Sequence, residues 1–273
     1  MRHGRSLTLL LLLSAMALHA QIQVVGNLAA PRNANPGEGY DGTIVLANGG
    51  AQTEDAKIYQ RDYFFFADGT VVYAEPGSEE RSNASWMTFS PNIVSIPSGE
   101  RAEVSYSVKV PALPALSGTY WSLILVEGVP KETKTEGADT EQLTINLRQV
   151  IRYAIQIVTN VGDSARVELK FSNTKLLAKD GVRTLQVDVE NTGGLWTRPA
   201  FSVRLFDMGG KLVGELPQPA RRIYPGTSVR PVFELPRLEP GTYKALVVAD
   251  GGNDDLFGAN YTLKIGEPAA GSQ

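Results

Sequence analysis

Between residues 102 and 110 hydrophobic and polar positions alternate without a break. Val104, Tyr106, Val108 and Val110 fall on one side, and Glu103, Ser105, Ser107 and Lys109 on the other. A period of two over this length predicts a strand of an antiparallel sheet with one buried face. Shorter runs of the same kind occur at 43–47, 63–66, 120–127, 184–190, 201–206 and 244–249. Between them lie turn formers: Asn48-Gly49-Gly50, Asp68-Gly69, Gly193-Gly194 and Gly209-Gly210. No useful stretch carries a helical period, so the pattern predicts an all-β chain of short strands in a sandwich or barrel.

The pattern is also used twice. Residues 96–127 and 223–250 both run Ile, a Gly turn, an alternating strand, a Pro/Leu connection, Gly-Thr-Tyr and a second apolar strand. Upstream of each lie a strand, an Asn/Gly turn, an aromatic-containing strand and a Gly hairpin. One supersecondary plan in duplicate predicts two tandem domains of like fold. A Tyr opening the strand after a turn is where immunoglobulin-like sandwiches place a tyrosine corner, and Tyr120 and Tyr243 both fit that position. The expected fold class is therefore two immunoglobulin-like β-sandwiches in tandem.

The joining segment, 142–159, is unusual. Leu143, Ile145, Leu147, Ile151, Tyr153, Ile155 and Ile157 occupy odd positions, with Gln149 alone breaking the row. At about 3.3 Å per residue an unbroken strand of this length would exceed ~50 Å, far longer than the usual strand. Two readings stand together: a last strand of domain one followed by a bend into domain two, and a long edge strand whose apolar row its own domain does not wholly cover. The preceding residues 130–141 are charged and without apolar period, as expected of a mobile loop able to shield such an edge. If Tyr120 turns inward, Trp121, Leu123 and Leu125 face the other way; the second domain has Lys244, Leu246 and Val248 there. Domain one thus carries extra apolar surface, of the kind that meets a partner or a neighbouring domain. The run Tyr63 to Phe66 must likewise send about half its rings away from its own core.

Composition removes chemistry. Of 273 residues none is Cys, and the only histidines are His3 and His19. Both lie in a leader, residues 1–20, with Arg2 and Arg5 before the apolar run 7–13 and a small residue, Ala20, at the cut; this reads as a secretory signal peptide. A mature chain of 253 residues without His or Cys cannot build a Ser/His/Asp triad, a thiolate nucleophile, an imidazole or thiolate zinc site, or a disulfide. Loss of the leader's two Arg brings the formal net charge from −3 to −5. No basic excess points to nucleic acid. No later stretch approaches the ~20 apolar residues of a membrane helix. The expected layout is 1–20 leader, 21–158 domain one, 159–267 domain two and 268–273 a soluble tail, in a protein that is periplasmic or secreted.

Few motifs suggest catalysis or metal. Ser172-Asn173-Thr174-Lys175 has Ser-x-x-Lys spacing but follows a strand where that motif opens a helix, and no Lys-Thr-Gly follows. Residues 251–258 look like one unit of a calcium-binding nonapeptide repeat. Such sites need stacked units, so a polar hairpin tip is expected, with Asp250, Asp254 and Asp255 as a weak single Ca²⁺ candidate. Acidic residues show no spacing that singles out a catalytic pair. Asn83-Ala84-Ser85 and Asn260-Tyr261-Thr262 are glycosylation sequons without consequence in a bacterial-looking chain. No cofactor and no enzymatic activity are expected.

The mobile loop followed by an alternating strand resembles the PapD-like periplasmic pilus chaperones, two-domain immunoglobulin-like proteins. The resemblance implies that 142–153 is lent to an incomplete pilin subunit, and that Arg152, in Ile151-Arg152-Tyr153, grips the subunit's C-terminal carboxylate. Residues 82–91, with the Gly turn, alternating strand and Pro-Gly-Thr-Tyr that follow, are similar to WxL-interacting proteins of Gram-positive surfaces. The implied function is a periplasmic chaperone-like protein that binds a surface-structure subunit by strand addition. The partner-binding residues would be Leu143, Ile145, Leu147, Ile151, Arg152, Trp121, Leu123 and Leu125. The alternative is a non-enzymatic surface or adhesive protein that binds glycan or a cell-wall partner through Trp121 and the aromatic strand.

Overall fold

A computed structural model describes residues 22–129, 150–252 and 255–266. The leader, the charged loop, Leu143, Ile145, Leu147, Asp254 and the tail lie outside the described residues. The first half of the chain forms β1 (Ile22–Val25), β2 (Ala29–Ala34), β3 (Gly39–Asn48), β4 (Glu54–Phe65), β5 (Val71–Ala74), β6 (Met87–Ser90), β7 (Ile93–Ile96), β8 (Arg101–Lys109), β9 (Gly118–Val129) and β10 (Arg152–Val161). The second half forms β11 (Leu169–Lys179), β12 (Val182–Asn191), β13 (Ala200–Phe206), β14 (Leu212–Gln218), β15 (Ser228–Val229), β16 (Val232–Glu234), β17 (Gly241–Asp250) and β18 (Leu256–Ile265).

These strands make two immunoglobulin-like sandwiches. In the first, a sheet ordered β1-β3-β8-β6 faces one ordered β2-β10-β9-β4-β5, with β7 also on β4. In the second, β11-β12-β15 with β16 faces β14-β13-β17-β18. The strict alternation of β8 is realised: Val104, Tyr106 and Val108 are buried, and Glu103, Ser105 and Ser107 exposed. Across the first core they meet Ile58, Ile124, Val126, Ile155 and Ile157. In the second, Leu185, Val187, Val189 and Phe233 oppose Phe201, Val203, Leu205 and Val247. Burial of each such side chain contributes about 1.5–3 kcal/mol, which lets two cores of this size stand without disulfides.

The duplication holds at atomic detail. Asn48, ending β3, donates from Nδ2 to the carbonyls of Gln52 (2.7 Å) and Ile96 (2.8 Å), while its Oδ1 accepts the Gly50 N–H (2.8 Å). Asn191, ending β12, repeats this with Leu195 (2.8 Å), Ile223 (3.1 Å) and Gly193 (3.0 Å). Each amide ties the turn after its strand to a buried Ile in the facing segment. The tyrosine corners are not duplicated. Tyr243 donates its hydroxyl to the Glu239 carbonyl at 3.0 Å, as the motif requires. Tyr120 departs from that expectation, its ring packing against Trp86 at 4.6 Å with the Arg81 guanidinium over it. Trp86 occupies the space and leaves the Tyr120 ring a packing role.

Candidate functional site

One strand is half covered. β2 pairs with β10 in parallel over Gln156 to Val161 only, from Ala29 to Ala34. Arg152, Tyr153, Ala154 and Ile155 pair with β9 on one side, and among the described residues no strand lies on their other side. The cause is local. Going back towards the N-terminus, the Leu28 carbonyl takes the Gln156 N–H (2.8 Å), and the chain then turns through Gly26 (φ 107°) to place β1 in the opposite sheet. The odd-numbered row predicted from sequence accordingly changes character along the strand: Ile157 is 0% exposed, Ile155 3% and Ile151 37%. Its inner end belongs to the first core, and its outer end leaves it.

The outward face of this sheet is rich in tyrosine and arginine. Tyr59, Arg61 and Tyr63 project from β4, Glu127 from β9 and Arg152 from β10; the Tyr63 ring meets that of Tyr73 on β5 at 5.5 Å. Arg152 Nε donates to Glu127 Oε2 at 2.7 Å, and the Tyr59 hydroxyl donates to the same oxygen at 2.7 Å. These bonds, the tyrosine's first, hold the Glu127 carboxyl below its ordinary range, and Glu127 in turn raises Arg152. The Tyr59 hydroxyl is pushed up chiefly by burial and then by its bond to Glu127. Arg152 is thus not a free cation: an incoming carboxylate would have to share it with Glu127. Tyr59, Arg61 and Tyr73 went unnoticed in the sequence, because β4 mixes Lys57, Gln60 and Arg61 with its apolar residues and shows no clean period.

Trp121, Leu123 and Leu125 do face away from the first core, as the inward turn of Tyr120 requires, but all three are buried. The second sandwich covers Trp121. Its indole stacks on Tyr224 with ring centres 4.5 Å apart and planes within 8°, and its N–H donates to the Tyr63 carbonyl at 2.8 Å. Phe64 and Phe65 close the cluster, 5.2 Å from Trp121 and 6.3 Å from Tyr224 respectively. Trp121 is therefore a joint between domains and offers no exposed platform for a sugar. Polar ties flank it. The Thr119 N–H donates to the Gly194 carbonyl (2.8 Å), and Thr119 Oγ1 accepts the Trp196 N–H (2.9 Å). The backbones approach so closely that a Cβ on Gly118 would collide with the Gly194 carbonyl.

Arg222 lies at the same joint, and no motif or periodicity in the sequence marks it out. Its guanidinium sits over Trp196 (4.8 Å to the ring centre), and Nη1 donates to Gln156 Oε1 on β10 at 2.7 Å. The Tyr224 hydroxyl donates to that same oxygen at 2.5 Å. Arg222 Nε is buried without a hydrogen-bond partner, and no carboxylate among the described residues pairs with this side chain.

The remaining motifs have structural roles. Asp250 Oδ1 accepts the Gly252 N–H (2.9 Å) and the Asp255 N–H reaches the Gly252 carbonyl (3.0 Å), so both residues close a hairpin turn. Among the described residues no cluster of acidic side chains is arranged to hold a metal. Ser172 to Lys175 forms a bulge in β11, with Asn173 at φ 47° donating to Asp188 Oδ2 (3.0 Å). Asn83 is fully buried, donating to Ile157 and Thr159 (each 3.0 Å) and accepting from Ser122 (2.6 Å), so that sequon is inaccessible.

No protein-family model matches this chain, and no curated protein matches it. Among solved structures it is similar to the class 5 fimbriae chaperone CfaA, at 11% identity and a TM-score of 0.49, over 89% of this chain and 99% of that one. A structure described as a chaperone–tip adhesin complex of CFA/I fimbriae biogenesis aligns at 13% identity and a TM-score of 0.48, over 92% and 100%. The CsuC–CsuE pre-assembly complex of Csu pili from Acinetobacter baumannii aligns at 13% and 0.45, over 88% and 98%.

Proposed function

We propose that the mature chain, residues 21–273, is a non-enzymatic periplasmic chaperone-like protein that binds a subunit of a surface structure by β-strand addition. The observation that carries this is the half-open edge of β10. Over Arg152 to Ile155 the strand stays anchored to β9 on one side, and among the described residues no strand takes up the main-chain groups that alternate to the other side, while an apolar row emerges from the core along the same strand. Main-chain hydrogen bonds at such an edge supply affinity, and alternate side chains supply selectivity. The row continues in sequence through Leu147, Ile145 and Leu143, which extend the proposed client strand. The tyrosine and arginine side chains beside it are the residue types enriched at protein interfaces. The similar solved structures are described as chaperones of fimbriae or pili, and the proposal stands on the edge itself.

A client carboxylate has two arginines to choose from in this reading. Arg152 is partly neutralised by Glu127, whereas Arg222 has no acidic partner among the described residues. Replacing Ile145 and Leu147 together with Asp is expected to abolish capture of a co-expressed subunit while leaving the circular dichroism spectrum and melting temperature unchanged. Undiminished capture by the folded double variant overturns the proposal.

A further inference from the structure

The sheet on the opposite side of the first sandwich carries a feature that strand addition does not use. Outward positions of β3, β8 and β6 stand in register in two rows: Asp41, Ser107 and Thr88, then Thr43, Ser105 and Ser90. All six are exposed, all are short, and none has its side-chain oxygen bonded to another group among the described residues. The intervening positions turn inward. Tyr106 packs into the core with its ring over Gly42, where any Cβ would collide with it. Gly42, Tyr106 and Phe89 form the surface between the rows, and with the six short side chains they line an open trough of about 570 Å³. That volume is within the ~300–1,000 Å³ of small-molecule sites.

The chemistry of this lining is selective. Five hydroxyls each donate one hydrogen bond and accept up to two, and the carboxylate only accepts. Among the described residues no cation lines the trough: Lys109, beyond one end, is drawn away to the Gly37 carbonyl (2.7 Å). An anionic ligand would meet Asp41 without a counter-charge, and an apolar one would strand the hydroxyls. A neutral ligand that itself offers many hydroxyls satisfies both conditions. Strands ~4.8 Å apart, with rows ~6.7 Å apart along them, give a lattice on the scale of a sugar ring. We infer that this face is a low-affinity binding site for a neutral oligosaccharide, independent of the β10 edge and of Trp121.

The test is titration of the isotope-labelled mature protein with maltotriose, cellotriose and chitotriose, followed by amide chemical shifts. The expected result is saturable shifts confined to β3, β6 and β8 for at least one probe. Affinity should fall tenfold or more in Asp41→Ala and vanish in Ser105→Arg, whose long side chain fills the trough. Both positions are exposed, and an unchanged melting temperature confirms that the variants are folded. No shifts with any of the three probes, shifts elsewhere, or equal binding by Ser105→Arg overturns the inference. Client capture should be unaffected by these substitutions, so the two functional readings fail separately.

Discussion

Asn48 and Asn191 hold the two halves of the molecule to one plan, each by three hydrogen bonds from a single side chain. Removing the amide leaves buried carbonyls unsatisfied, at about 1–3 kcal/mol. Asn48→Ala and Asn191→Ala should each lower stability by that amount in urea titrations, and the losses should add because the sites lie in separate cores. Tyr224 gives a second prediction. Burial pushes its hydroxyl up to about 12, while an unfolded tyrosine ionises near 10. The folded chain keeps this proton when the unfolded one has lost it, so the associated stability is intact below about pH 10 and declines as pH rises towards about 12. Absorbance titration should show a late-ionising tyrosine fraction that is reduced in Tyr224→Phe. The Asn-Gly-Gly turn was legible in sequence because Asn and Gly favour that backbone. The reach of the Asn side chain to Ile96 or Ile223 was not, since it depends on which segment the fold brings alongside.

Strands differ in how openly they declare themselves. β8 could be read position by position because one of its faces meets water and the other the core. β4 could not, because its outward face carries tyrosines and arginines that serve a surface while its last residues serve the joint. β10 was legible as an apolar row, but where that row leaves the core is decided by β2 and the turn at Gly26, far off in sequence. Ion pairs pin two strands to their neighbours. Arg230 on Asp188, the larger influence, and Asn173 after it, lower the Asp188 carboxyl; Tyr59 and Arg152 lower Glu127. A carboxyl depressed in the folded state stabilises above its unfolded value, about 4, and loses that contribution as pH falls through the folded value. Urea midpoints should therefore decline below about pH 4, with a shallower decline in Asp188→Asn. An identical slope in that variant would count against the assignment.

The two sandwiches meet through stacked rings and main-chain hydrogen bonds, and the joint gives them a definite mutual orientation. Tyr224→Ala removes a fully buried ring, a change that costs about 3–5 kcal/mol for aromatics of this size. It should broaden the distance distribution in small-angle scattering while both cores keep their amide-exchange protection; an unchanged distribution would show that the polar ties suffice. Duplication was visible in the repeat, and so was the surplus apolar surface at Trp121. That its occupant is the second domain could not be read, because Tyr224 sits in a Tyr-Pro-Gly turn like many others. The parallel pairing of β2 with β10 carries a consequence for the order of events during biogenesis. Ala29 waits for Gln156, so β2 finds its neighbour only after the whole first half of the chain has been made. Closing so long a loop is slow, since its entropy must be spent before the contact is gained. Throughout that interval β10's site beside β9 stands empty, and the growing chain is itself an incomplete sandwich, open to the same kind of strand donation that it is proposed to offer its client.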